Sequence, residues 1–235
     1  MGIAYRLNLN YLDCIGMPAS FTMRTVTLRY TILLTGIVIH FMACGQAITD
    51  PEKMKTSPYK KGVATRDGIG KYYYGREIAK TMDFAGAPWL ERDERNEEEN
   101  AAMAISYLPL SKDAVVADLG AGTGYYSFRI AEKIPQGKVY AIDIQPSFVE
   151  FLGERKKERN VQNLYPLLGN QADIGLEKAS VDLLLMVDVY HELEFPEEML
   201  QAVYQVLKQN GKLVLIEFRG EDPMVPIKEL HKMTV

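Results

Sequence analysis

Short apolar runs alternate with amphipathic segments over the second half of the chain. The apolar runs predict five strands, at residues 114–119, 138–144, 164–168, 181–187 and 212–218. Apolar residues at helical spacing, or a helix-initiating proline, predict helices between them, at residues 125–133, 146–159 and 196–209. This alternation predicts an α/β fold with a doubly wound, Rossmann-like and mostly parallel sheet, whose ligands bind beyond the carboxyl ends of the strands.

The first fifty residues show no such alternation. Residues 31–43 form an apolar run preceded by Arg24 and Arg29 and followed by Cys44. Because a membrane-spanning helix needs about 20 apolar residues, the run is short for a span and favours a signal segment over residues 1–49. Ala43-Cys44-Gly45 resembles a bacterial lipoprotein signal, which predicts an exported protein with a lipid anchor at Cys44. The alternative is a buried apolar segment in a cytoplasmic protein.

Residues 50–100 combine Lys, Gly and Pro with a strongly acidic stretch at 91–99. They are predicted to form a linker and an N-terminal helical cap, including a short helix over residues 72–82. The α/β domain is then predicted to occupy residues 101–235.

Composition excludes several kinds of partner. The chain has 27 basic and 31 acidic residues and a net charge of −4, which gives it no general attraction for nucleic acid. The two cysteines cannot form a disulfide framework, and the three histidines are far apart in the sequence, so no metal site is predicted. The oligomeric state stays open.

Four of the predicted strands end in polar or glycine-rich residues. The first strand ends in the sequence Asp118-Leu119-Gly120-Ala121-Gly122-Thr123-Gly124, which continues into a glycine-rich turn. Glycines at alternate positions allow a tight turn and a close approach to a ligand, and the next helix offers free N–H groups at its start. The spacing differs from the Gly-x-Gly-x-x-Gly dinucleotide fingerprint. The second strand ends at Asp143, near the offset from Gly120 at which an acid binds ribose hydroxyls.

The other two strand ends are also polar. Asn170 and Gln171 follow the weakest strand and could accept hydrogen bonds from an adenine amino group, although Gly169 and Asn170 are equally typical of a turn. The sequence Asp188-Val189-Tyr190-His191-Glu192 follows the most apolar strand and carries several titratable groups. The sequence therefore predicts an adenosine-type ligand at this edge of the sheet.

These segments resemble those of the class I S-adenosylmethionine-dependent methyltransferases over residues 114–218. Residues 75–78 and 87–92 are similar to an uncharacterised bacterial subgroup. The resemblance implies S-adenosylmethionine as the cofactor. It implies a site formed by Asp118, Gly120, Ala121, Gly122, Gly124, Asp143, Ile144, Asn170, Gln171 and Asp188. It also implies a seven-stranded sheet, of which the last two strands are missing here, so that the strand at 212–218 is expected to be an open edge.

The resemblance implies transfer of a methyl group from a sulfonium to a nucleophile. His191 is predicted to be the general base, with Asp188 and Tyr190 beside the acceptor, because histidine titrates near neutral pH. The alternative is a structural histidine. The predicted acceptor is a small molecule, not a nucleic acid. Two other functions stay open: a cofactor-binding or inactive module, and an NAD(P)-dependent oxidoreductase with Tyr204 and Lys208 as its dyad.

Overall fold

The computed structural model describes residues 57–234 and, before them, the backbone of two strands, β1 (Asn8–Asn10) and β2 (Phe21–Thr27). The apolar run at 31–43 and the proposed anchor at Cys44 lie outside the described residues. Among the described helices, none has the length and hydropathy needed to span a membrane.

The remaining strands and the helices follow in chain order. The strands are β3 (Tyr59–Lys61), β4 (Gly68–Tyr73), β5 (Arg76–Ala79), β6 (Val115–Leu119), β7 (Lys138–Asp143), β8 (Leu164–Leu168), β9 (Val181–Val187), β10 (Leu207–Arg219) and β11 (Lys232–Met233). The helices are α1 (Ala87–Leu90), α2 (Arg95–Glu99), α3 (Ala101–Tyr107), α4 (Tyr125–Lys133), α5 (Pro146–Glu158) and α6 (Pro196–Val206). Short 3₁₀ turns occupy Phe84–Gly86, Tyr190–Glu192 and Glu229–His231.

The main sheet confirms the predicted fold class. Its strand order is β1-β2-β10-β9-β6-β7-β8, and β11 also pairs with β10. The five predicted strands are β6 to β10; they and β11 run parallel, whereas β1 and β2 are antiparallel to their neighbours. The carboxyl ends of β6, β7, β8 and β9 therefore lie side by side at one edge of the sheet.

The central strand β9 is buried on both faces, as its apolar sequence predicts. Leu183 and Leu185 pack in a cluster with α4 and its neighbours, while Leu184 and Met186 pack in a second cluster with α6. Because side chains alternate across a strand, one continuous apolar run supplies both faces of the sheet. This fully buried strand fixes the position of the loop that begins at Asp188.

The prediction that residues 212–218 form an open edge is wrong. Strand β2 pairs antiparallel with β10, with a register that runs from Leu213 opposite Val26 to Phe218 opposite Phe21. An unpaired edge leaves a row of backbone donors and acceptors unsatisfied, so a neighbouring strand is strongly favoured. Phe21–Thr27 is rich in Thr, Val and Phe, which favour strands, but its arginine suggested the charged flank of a signal.

The prediction of a linker and a helix over residues 72–82 is also wrong. Strands β3, β4 and β5 form a separate antiparallel sheet. Tyr74 and Gly75 have positive φ angles of 48° and 89° and form the two-residue turn between β4 and β5. Consecutive positive φ angles suit the twist of a hairpin, and Gly75 supplies one at little cost. We call residues 57–99, which comprise this sheet, α1 and α2, the cap.

Candidate active site

The four predicted strand ends meet in one cleft, which the cap covers. The predicted site residues that line it are Asp118, Gly120, Ala121, Gly122, Asp143, Ile144, Asn170, Gln171 and Asp188. Three other predicted residues, Gly124, Tyr190 and His191, do not line it. The cap contributes Ile69, Ala79, Met82, Leu90 and Arg95, none of which the sequence indicated.

In the glycine loop after β6, the backbone lies close to side chains of neighbouring elements. Gly120, Gly122 and Gly124 have φ angles of 76°, 53° and 81°, which favour glycine. A Cβ at Gly120 would lie 2.4 Å from a methyl of Val189, and one at Gly124 would lie 2.6 Å from Leu152. Gly124 therefore serves packing of α4 against α5, whereas the backbone at Gly120 and Gly122 faces the cleft.

The Asp143 carboxylate faces this loop. Its Oδ2 accepts a hydrogen bond from the Gly122 N–H at 3.0 Å, and its Oδ1 accepts one from the Gln145 N–H at 3.0 Å. Burial raises the pKa of Asp143, while these hydrogen bonds act in the opposite direction. The acid at the end of β7 is thus fixed beside the glycine loop, as the spacing of the two motifs predicts.

A second buried acid lies beneath the glycine loop. Asp118 is 3% exposed, and its Oδ2 accepts a hydrogen bond from the Ser127 hydroxyl at 2.5 Å. Burial raises the pKa of Asp118 to about 6.

Arg95 is the cationic side chain of the cleft that the sequence did not indicate. Its Nε donates to both Glu99 oxygens at 2.9 Å, its Nη1 donates to the Leu90 carbonyl at 2.6 Å, and its guanidinium lies 4.2 Å from the centre of the Tyr125 ring. These contacts bury an arginine that the sequence places in a strongly acidic stretch. Pairing with Glu99 offsets the cost of burying the charge.

Asn170 and Gln171 lie at the rim of the cleft, in a turn. The Asn170 Oδ1 accepts hydrogen bonds from the backbone N–H groups of Ala172 and Asp173, at 2.9 and 2.7 Å. The Gln171 Nε2 donates to Glu194 at 2.7 Å. Asn170 therefore acts as a turn residue, because its side-chain oxygen accepts hydrogen bonds from its own loop.

Asp188 lines the cleft directly after β9. Its φ angle of 58° lies in the left-handed region that non-glycine residues rarely adopt. Burial raises the pKa of Asp188 to about 8, although the neighbouring His191 acts against this. Within the described residues its Oδ1 is buried and has no hydrogen-bond partner. An unpaired buried carboxylate oxygen costs stability, which is typical of a functional position.

His191 lies behind the cleft, where it is 1% exposed. Its Nδ1 is 2.6 Å from Glu217 Oε2, and its Nε2 is 3.0 Å from His231 Nδ1. Burial alone would lower the pKa of His191, but the Glu217 carboxylate raises it to about 9. Because Glu217 and His231 contact its two ring nitrogens and His191 does not line the cleft, this arrangement does not support the predicted role of His191 as general base.

Glu217 organises the loop that carries Asp188. Its Oε1 accepts hydrogen bonds from the backbone N–H groups of Val189 and Tyr190, at 3.2 and 2.8 Å. Tyr190 is half-buried beside it and does not touch the cleft, contrary to its predicted place beside the acceptor. The signal for Glu217 was present in the sequence as a lone acid within an apolar strand, and buried acids in such strands need partners.

Glu192 joins the cleft to the cap. Its carboxylate accepts a hydrogen bond from the Met82 N–H, at 3.3 and 3.4 Å from its two oxygens. The Met82 carbonyl accepts one from Gln145 Nε2 at 2.8 Å. Burial raises the pKa of Glu192 to about 7. Met82 is thereby held between the loops after β7 and β9, which places the cap over the cleft.

The sequence model of one family, described as a methyltransferase domain, matches residues 110–234, more than half of the 235 residues. The chain belongs to the methyltransferase domain family. It is of the class I, S-adenosylmethionine-dependent type, as the resemblance implied.

Individual members of the methyltransferase family differ in what they act on. The demethylmenaquinone methyltransferase of Lactococcus lactis is 30% identical over 113 residues, 48% of this chain and 44% of that protein. The fibrillarin-like rRNA/tRNA 2'-O-methyltransferase of Methanosarcina barkeri is 27% identical over 184 residues, 75% of this chain and 77% of that protein. A crystal structure of an S-adenosylmethionine-dependent methyltransferase from Aquifex aeolicus shares the fold, with a TM-score of 0.62 and 24% identity over 66% of this chain and 82% of that one.

The methyltransferase chain spans less than half the length of several curated relatives that it matches, 40% to 46% for three of them. The oxidoreductase interpretation is not favoured. Neither Tyr204 nor Lys208 lines the cleft, and Lys208 pairs with Asp182 at 2.8 Å.

Proposed function

We propose that this protein transfers the methyl group of S-adenosylmethionine to a small-molecule acceptor. The observation that carries the proposal is the Asp143 carboxylate held against the glycine loop, one β-α-β step later in the chain. The remaining polar side chains of the cleft have the charges that the cofactor requires.

The described residues fit the cofactor in three parts. Each Asp143 oxygen uses one lone pair on a backbone N–H, so a second remains for the ribose hydroxyls. The backbone at Gly120 and Gly122, with Arg95 and Asp118 nearby, would hold the methionine part, whose carboxylate and ammonium groups need partners of opposite charge. Ile144, Asn170 and Gln171 would lie along the adenine.

S-adenosylmethionine supplies an activated methyl group on a sulfonium. Because the methyl group is already activated, the protein would chiefly align the two reactants and exclude water from the cleft. The Asp188 side chain, which lines the cleft, would accept a hydrogen bond from the acceptor's nucleophile. Asp188 thus takes the place beside the acceptor, and His191 with Glu217 positions the Asp188 loop.

A small-molecule acceptor fits the cover of the cleft better than a nucleic acid. The cap places apolar side chains over it, among them Ile69, Leu90 and Met82. Glu192 and Glu194 add acidic groups to the same wall, which disfavours a phosphate backbone. One relative, the demethylmenaquinone methyltransferase of Lactococcus lactis, is named for an acceptor that is not a nucleic acid, which supports this choice.

A labelled-methyl assay tests this function. The full chain is incubated with methyl-labelled S-adenosylmethionine and a cell extract separated into small-molecule, RNA and protein fractions. We expect label in the small-molecule fraction and a loss of at least about tenfold in Asp188→Ala, as for removal of one positioned hydrogen bond in an active site. Glu132→Gln, an exposed charge change on α4, is the control and should act as the parent chain. Label in RNA would contradict the proposed acceptor, and no label in any fraction would contradict transfer itself.

A further inference from the structure

Three metal-ligand side chains from two distant parts of the chain meet beside the cleft. His191 and Glu192 lie in the 3₁₀ turn after β9, and His231 lies in the turn before β11. His191 Nε2 is 3.0 Å from His231 Nδ1 and 3.8 Å from Glu192 Oε1, and His231 Nδ1 is 3.5 Å from that same oxygen. Each of the three residues thus presents one donor atom to a common point.

This triangle has the size of one face of a metal coordination tetrahedron. Zinc–nitrogen and zinc–oxygen bonds of about 2.0–2.2 Å place the ligand atoms about 3.3–3.6 Å apart. The three observed separations, 3.0, 3.5 and 3.8 Å, lie on both sides of that value. In the other cluster of this kind among the described residues, Asp188, His191 and Glu217, two donor atoms are 2.6 Å apart, the length of a short hydrogen bond.

The contact between His191 and Glu217 also supports a metal site. A histidine that binds a metal through one nitrogen usually donates its other N–H to a carboxylate or carbonyl, which fixes the ring and makes it a better ligand. His191 Nδ1 is 2.6 Å from Glu217 Oε2, so Nε2 is left directed at His231 and Glu192. The ring cannot turn without breaking the contact with Glu217.

We propose that His191, Glu192 and His231 bind a divalent transition metal ion, with Zn²⁺ as the best fit. Two imidazoles and a carboxylate suit zinc, whereas Mg²⁺ and Ca²⁺ prefer sites made of oxygens. The ion would replace the proton that His191 and His231 share, and three protein ligands leave a fourth position for water or a bound molecule. This inference does not rest on the proposed methyl transfer.

The ion would join three parts of the molecule at the wall of the cleft. His191 and Glu192 belong to the loop after β9, and His231 belongs to the segment that leads into β11. Glu192 also lines the cleft and accepts the hydrogen bond from Met82 of the cap. Metal binding is therefore expected to stabilise the closed arrangement of the cap and the residues near 231 against the cleft.

Titration of the chelator-treated full chain with Zn²⁺ tests the site, by calorimetry and by the absorption spectrum of Co²⁺ as a substitute ion. We expect one ion per chain, a tetrahedral Co²⁺ spectrum, and a thermal midpoint that Zn²⁺ raises because the ion binds the folded state. Loss of a ligand in His231→Ala is expected to weaken binding by at least about tenfold. Absence of binding at one ion per chain, or equal binding by His231→Ala, would overturn the proposal.

Matched variants separate the site from incidental binding and from misfolding. His40→Ala removes the third histidine, and Cys14→Ser with Cys44→Ser removes both thiols; neither change should alter Zn²⁺ affinity. Glu192→Gln keeps the size of the side chain and an acceptor for the Met82 N–H, and it should weaken Zn²⁺ binding even if His231→Ala does not fold. If the cysteine variant loses the ion while Glu192→Gln keeps it, the assignment of these three ligands is wrong.

Discussion

Asp118 occupies a position where charge and burial oppose each other. It lies one residue before the end of β6, inside the central sheet, and its carboxyl group accepts a hydrogen bond from the Ser127 hydroxyl. Burial raises its pKa to about 6, so the folded chain binds a proton there at pH values where the unfolded chain, with a pKa near 3.8, does not. Folding is therefore linked to protonation of Asp118.

The sign of this linkage gives a prediction. Between pH 7 and pH 4 the folded state gains the Asp118 proton first, so this residue adds stability as pH falls and removes it as pH rises through 6. We expect Asp118→Asn to abolish this contribution, so that the free energy of unfolding of the variant minus that of the parent decreases by about 2–3 kcal/mol from pH 7 to pH 4. Denaturant unfolding at both pH values measures it; a pH-independent difference would refute the role of Asp118.

His191 shows what local sequence can and cannot tell. The cluster of titratable residues at 188–192 pointed to a loop that the structure places along the cleft, because a buried strand ends there. The partners of His191 come from residues 217 and 231, which no local pattern connects to it. The pairing depends on the sheet order, and it places His191 behind the cleft, with its two ring nitrogens in contact with these partners.

Among the secondary-structure elements, the edge of the main sheet differs most clearly from what the sequence predicts. Parallel strands β6 to β10 follow from their apolar runs, because each run must be buried between helices. The antiparallel β2 does not, because its pairing with β10 joins residues nearly 190 positions apart in the sequence. Only the need of β10 for a neighbour pointed to it.

A proline in β2 tests this pairing. Thr25 lies opposite Asn10 on one side and Val214 on the other, so Thr25→Pro removes a ladder hydrogen bond whichever way its N–H points. We expect the free energy of unfolding to fall by about 1–3 kcal/mol, the cost of an unsatisfied backbone group. Val63→Pro, at an exposed position between β3 and β4, is the control. If Thr25→Pro is as stable as the control variant, β2 does not pair with β10.

The antiparallel sheet of the cap, β3 to β5, is the second feature that the sequence did not predict. Tyr72, Tyr73 and Tyr74 in succession fit no single period, and the predicted short helix over residues 72–82 ran through the glycine that follows them. The hairpin forms because Tyr74 and Gly75 adopt left-handed φ angles, and the strands then pair across that turn. A two-residue turn at Tyr74-Gly75 is a weaker sequence signal than Asn-Gly or Asp-Gly.

The whole molecule brings the predicted and the unpredicted residues into one cleft. The glycine loop, Asp143 and Asp188 were predictable because parallel strands end at a common edge. Arg95 and Met82 were not, because they reach the cleft through the position of the cap. The sequence thus predicted the part of the cleft formed by the main sheet, whereas the part formed by the cap became visible only in the structure.

The central claim is that the glycine loop and Asp143 together form the binding site for S-adenosylmethionine. Isothermal calorimetry with S-adenosylhomocysteine, the product of methyl transfer, tests it on the parent chain, on Asp143→Asn and on the control Glu132→Gln. We expect saturable binding at one site per chain, unchanged in the control and weakened by about tenfold or more in Asp143→Asn, because hydrogen bonds to a charged acceptor contribute about 1.5–3 kcal/mol. Binding that is absent from the parent chain, or equal in Asp143→Asn, would contradict the account.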